Sequence, residues 1–114
     1  MGLSIGKRLM ALAFLVVLAA MPAGAQEESG PREFTVTMDN MVFGSMPTGA
    51  RVGDTIVWVN NDTVQHTATA RDASFDVRLQ PGKRGKTVLT KAGSLAIYCI
   101  YHPMMRTTLR VAAS

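Results

Sequence analysis

Apolar and polar residues alternate with a period of two along Glu33-Phe34-Thr35-Val36-Thr37-Met38, the pattern of a strand with one face buried. The run Asp54-Thr55-Ile56-Val57-Trp58-Val59-Asn60 is β-branched and aromatic and reads as another strand. Turn signals recur at Asp39-Asn40, Pro47-Thr48-Gly49, Gly53-Asp54, Asn60-Asn61-Asp62, Pro81-Gly82 and Ala92-Gly93. Between and beyond them, 67–71, 75–79, 86–90, 95–101 and 107–112 fit as short strands. From Gln26 onward no segment carries a sustained helical period with caps. About eight short strands, punctuated roughly every 8 to 12 residues, predict an all-β antiparallel sandwich or small barrel. Phe34, Val36, Ile56, Trp58, Phe75, Val88, Leu89, Ile97 and Leu109 are its expected core.

The first 25 residues follow a different logic. Lys7 and Arg8 precede an unbroken apolar run from Leu9 to Ala20, and Ala23-Gly24-Ala25 supplies small residues for cleavage. That is the layout of an export signal. A spanning helix needs about 20 apolar residues, more than this run offers before Pro22, so no stable membrane insertion is expected after cleavage. The expected organisation is a signal peptide over 1–25 and one domain over 26–114, with the protein exported to the periplasm.

Charge narrows the function. Without Lys7 and Arg8, ten basic residues face eight acidic ones, a net charge of +2. No basic block is interleaved with aromatic side chains as a nucleic-acid surface requires, and that class is excluded. A lone cysteine, Cys99, cannot form an internal disulfide, and an exposed thiol would oxidise in an exported protein. Something must bury or occupy it.

The neighbours of Cys99 supply the occupant. Tyr98-Cys99-Ile100-Tyr101-His102-Pro103-Met104-Met105 places Cys, His and Met in a Cys-x-x-His-x-x-Met spacing. Pro103 disfavours helical geometry at His102, so a strand should deliver Cys99 and a tight loop should fold His102 and Met105 around a common point. The only other histidine, His66, follows the Asn60-Asn61-Asp62 turn and is the fourth donor expected. Two imidazoles and a thiolate with a weak thioether suit copper of the blue type, whereas structural zinc sites use several thiolates or carboxylates, rarely a thioether, and close tetrahedrally.

These residues resemble the small blue copper proteins, the cupredoxins, most closely the amicyanin type within the plastocyanin and pseudoazurin group. The stretch Val52 to Asn60 with His66 six residues on, and Tyr98-Cys99-x-x-His102-Pro103-x-Met105, carry the likeness. The resemblance implies an eight-stranded Greek-key β-sandwich with one type 1 copper at one end. His66 and His102 would be the imidazole ligands, Cys99 the thiolate and Met105 the axial thioether, with Met104 the rival. Asn60 would tie the two ligand loops together by hydrogen bonds. Ile100 departs from the hydroxyl residue, and Tyr101 from the proline, that relatives carry in this loop.

The function this implies is electron carriage by a monomer that meets its redox partners transiently, a dehydrogenase donor, a c-type cytochrome acceptor or both. An apolar rim of Pro103 and Met104, with Met41 and Met46 as further candidates, would surround the His102 edge. Lys83, Arg84, Lys86, Lys91 and Arg106 are candidates for steering an anionic partner. A copper carrier or store is the alternative reading. An enzyme is disfavoured because two histidines are too few for a second copper centre.

Overall fold

The computed structural model describes residues 30–114, together with residues 2, 6 and 12–17. The expected cleavage motif at 23–25, and most of the expected signal, lie outside the described residues.

Nine strands form among the described residues: β1 (Glu33–Asp39), β2 (Val42–Phe43), β3 (Ala50–Arg51), β4 (Thr55–Asn60), β5 (His66–Ala70), β6 (Asp76–Leu79), β7 (Arg84–Val88), β8 (Gly93–Tyr98) and β9 (Arg106–Ala112). They build one sheet in the order β2-β1-β4-β7 and another in the order β3-β9-β8-β5-β6. The all-β sandwich is as the alternation predicts. The count exceeds eight because β2 and β3 are two residues each, too short to show any period. Not every pairing is antiparallel: β1 runs parallel to β4, and β3 parallel to β9.

The core lies between the sheets. Val36, Ile56, Trp58, Leu89, Ile97 and Leu109 are buried there as expected, and Phe34 and Phe75 pack against it while half-buried. Trp58 sits at its centre, with the rings of Phe43 and Phe75 each at 6.1 Å and its Nε1 donating to Thr87 Oγ1 at 3.1 Å. Val88 is a correction: it is 59% exposed. Strand alternation turns Thr87 inward and Val88 outward, and Leu89 regains the interior only where the strand has ended and its amide bonds the Asp54 carbonyl.

This architecture positions the expected ligands His66 and Cys99. Strands β5 and β8 are neighbours, yet their ladder contains only the pairs Thr69 with Tyr98 and Ala70 with Ile97. Beyond Thr69 the two strands part. His66, the first residue of β5, and Cys99, the first after β8, therefore face one another across the opened end of the sheet.

Candidate metal centre

His66 opens β5 and is fully buried. Its ring is oriented from the loop before it, where Asp62 Oδ2 lies 2.6 Å from His66 Nε2. The carboxylate can only accept, so Nε2 carries the proton and the lone pair of Nδ1 faces inward. Asp62 is itself fixed: Asn40 N and Met41 N donate to its two oxygens at 2.7 and 2.9 Å. The Met41 amide foremost, and then the His66 ring, hold its carboxyl down at about 2. Those amides come from the β1–β2 turn, where Asn40 and Met41 both adopt positive φ, 52° and 63°. The turn aims two N–H groups at one carboxylate.

Cys99 follows β8 and is also fully buried. The Thr67 amide donates to its Sγ at 3.4 Å. After it the chain closes a compact loop: His102 N donates to Cys99 O, Met105 N to His102 O at 2.8 Å, and Cys99 N to Met105 O at 3.0 Å. Pro103 is accommodated because it has no N–H to place. Within this loop His102 is half-buried and Met105 is buried, while Met104 is 88% exposed.

The donors converge. Cys99 Sγ lies 3.8 Å from His66 Nδ1 and 3.6 Å from His102 Nδ1, and one ligand atom from each of the three residues falls within 4.8 Å of the others. An ion bound at about 2.0–2.3 Å by imidazole nitrogen and thiolate sulfur, in one plane, sets such donors roughly 3.6 Å apart. The geometry thus fits a single ion. The set of one sulfur and two imidazoles, in a loop that also buries Met105, matches copper better than zinc.

The structure brings together His66, Cys99 and His102, three of the expected ligands. The chain matches the family model of the cupredoxin-like domain over residues 9–111. It belongs to the cupredoxin family. A cupredoxin of this kind holds one type 1 copper, and the cluster of His66, Cys99 and His102 is the site this chain offers it. The methylamine utilization protein MauL of Methylorubrum extorquens is 33% identical over 108 residues, covering 91% of this chain and 90% of that protein. Solved amicyanins share the fold. An oxidised methionine-to-leucine variant superposes with a TM-score of 0.61 at 21% identity, covering 68% of this chain and 80% of its own. A reduced tryptophan-to-tyrosine variant gives 0.62 at 22%, covering 76% and 87%. The copper-containing nitrite reductase of Thermus scotoductus matches at 28% identity with a TM-score of 0.61, over 69% of this chain but 22% of its own.

Two features of this cupredoxin differ from the sequence expectation. Asn60 does not reach the loop of Cys99: its Nδ2 donates to Val64 O at 2.8 Å and Leu79 O at 3.0 Å, and its Oδ1 accepts from Asp62 N at 2.9 Å. It braces the loop before His66 against β6. The tie between the ligand segments is made by Thr67, whose Oγ1 accepts from Ile100 N at 2.9 Å. Thr67 escaped sequence reasoning because a threonine in a Thr/Ala strand signals only β propensity. Asp62 escaped because Asn-Asn-Asp signals only a turn, although its spacing of four residues from His66 was readable. Met46 packs against the core, whereas Met41 is 42% exposed.

Proposed function

We propose that this cupredoxin is an electron carrier, exported to the periplasm as residues 26–114 after removal of residues 1–25, and that it is not itself an enzyme. His66, Cys99 and His102 are its equatorial copper ligands, Met105 is the axial thioether, and Asn60 braces the first ligand loop. Bound there, copper supplies the one-electron Cu(II)/Cu(I) couple.

The observation that carries this reading is the fixing of the buried His66 and Cys99 donors by hydrogen bonds that do not involve a metal. Asp62 sets the His66 ring, the Thr67 amide points at the Cys99 sulfur, and Met105 closes the loop onto the Cys99 amide. Donors held this way keep their places when the charge at their centre changes by one, so little reorganisation opposes electron transfer. A carrier that hands over its metal instead needs donors that move apart.

Partner exchange is supported by the surface around the site. Met41, Val64, Tyr101 and Met104 are 42%, 42%, 45% and 88% exposed, and all four lie in the turns and loops that position the ligands. An apolar rim of this kind favours brief contacts with a redox protein. The proposed partners are a dehydrogenase as the donor and a c-type cytochrome as the acceptor; the related MauL is named a methylamine utilization protein. The test is repeated reduction and reoxidation of the copper-loaded protein in the presence of a Cu(I) chelator. Full recovery of the metal over many cycles is expected. Progressive loss to the chelator would support the copper-carrier reading instead.

A further inference from the structure

The hydrogen bond from Ile100 N to Thr67 Oγ1 is the inner end of a longer chain. The hydroxyls of Thr67 and Thr69 lie 2.9 Å apart, and Thr69 Oγ1 lies 2.8 Å from Asp76 Oδ1. Asp76 Oδ2 accepts from Arg78 Nε at 3.1 Å. Thr67 and Thr69 are two residues apart on β5 and share a face, and Asp76 stands opposite Thr69 on β6. The inner members are buried, whereas Asp76 and Arg78 side chains are 40% and 54% exposed.

Proton counting gives the chain one direction. The Asp76 carboxylate, paired with Arg78, has only acceptors, so Thr69 must donate its single hydroxyl proton there. The Thr69 oxygen can then only accept from Thr67. Thr67, its own proton committed outward, is left with lone pairs for the Ile100 amide. Each bond polarises the next, and the charged end strengthens the series. Ladder geometry shows why the chain is needed. Continued in register by two residues, the β5–β8 ladder would set Thr67 opposite Ile100, but the strands have already parted and a side chain spans the gap. Ile100 carries no hydroxyl of its own to make the link.

Resting on the copper-site reading above, we propose that Thr69 and Asp76 are positioning residues: by orienting the Thr67 hydroxyl they lock the Ile100 amide, and with it the loop of Cys99, to the segment of His66 from a carboxylate at the surface. The relay reaches from the metal site to the outer edge of β6 and gives that edge an influence on the copper environment.

Hydrogen exchange of the Ile100 amide, followed by NMR in the copper-free protein, tests the relay without reference to copper. Thr69→Val and Asp76→Ala should each accelerate that amide about threefold to tenfold, the range of one hydrogen bond, with the Leu95 and Ile97 amides of β8 unchanged. Asp76→Asn, which keeps an acceptor oxygen, should restore slow exchange, and Arg78→Ala, which removes the ion pair and the Arg78 contact with Tyr101 but no member of the hydroxyl chain, should leave the Ile100 amide near wild type. In the copper-loaded protein the visible band and the reduction potential should move in Thr69→Val and Asp76→Ala and return in Asp76→Asn. Wild-type Ile100 exchange in both variants, equal acceleration of every β8 amide, or a band and potential that never move would each overturn the proposal. A protein that shows the predicted exchange pattern yet gives no intense visible band would keep the relay and refute the copper assignment instead.

Discussion

Asp62 shows how one carboxylate can determine what a buried histidine does. Its contact with His66 Nε2 at 2.6 Å leaves Nδ1 as the ring's only free lone pair, which is the atom 3.8 Å from Cys99 Sγ. Removing that partner frees the ring to rotate and to exchange tautomers. Asp62→Ala should therefore weaken copper affinity about 10- to 100-fold, measured by competition with a chelator of known affinity, with Asp62→Asn losing less because its amide oxygen still accepts. At this scale the sequence was most legible where side chains are chemically scarce. One cysteine and two histidines leave little choice of donors, and the spacing of Cys99, His102 and Met105 suffices to group them. Asp62, Thr67 and Asn60 were harder because hydrogen-bonding residues are common and their partners depend on how loops close. Asn60 was expected to span the two ligand segments and instead braces one of them, while the span falls to a threonine.

Among the elements, β7 and β6 approach one another closely at one edge of the sandwich. A Cβ built on Gly85 would come within 2.8 Å of Val77 Cγ1 and 3.2 Å of Leu79 Cδ2, so the glycine permits the two sheets to approach at this edge. Gly85→Ala should lower stability by about 1–3 kcal/mol, the usual cost of overpacking a core, as read from the midpoint of urea unfolding. Strand alternation made β1 and β9 readable because each presents one face to the core over seven residues, whereas β4, buried on both faces, was readable from its β-branched and aromatic composition. It could not reveal β2 or β3, which are recruited by their neighbours' free edges and not by a pattern of their own. Nor could it separate Val88 from Leu89, since both are apolar and only the point where β7 ends decides which turns inward.

For the whole molecule, the end of the sandwich away from the copper loops is closed by Asp54. This buried carboxylate accepts from Arg32 N at 2.8 Å and Arg51 N at 2.9 Å, joining the approach to β1 with the turn between β3 and β4. The Arg32 amide foremost, then the Arg51 amide and the Arg32 guanidinium, hold its carboxyl below the ordinary value, against the opposing effect of burial. A carboxyl lowered on folding contributes stability above its unfolded value near pH 4, and loses that contribution as pH falls through the folded one. Thermal melting across acidic pH should accordingly show a decline that Asp54→Asn flattens, while the variant is less stable at neutral pH by about 1–3 kcal/mol. At the opposite end the exposed Met104 lies in the apolar rim. Met104→Lys should leave the visible spectrum unchanged and slow electron self-exchange about tenfold at low salt, because two copies would then meet with like charges facing; NMR line broadening of mixed oxidation states reads this directly. Electron exchange through that rim presupposes a thiolate bound to copper. The most direct test is to add Cu(II) to the metal-free protein, record the visible spectrum, and repeat with Cys99→Ser. An intense sulfur-to-copper charge-transfer band that appears in the wild type and vanishes in the variant is the predicted result. Copper binding without that band, or a band that survives the loss of the sulfur, would contradict the account.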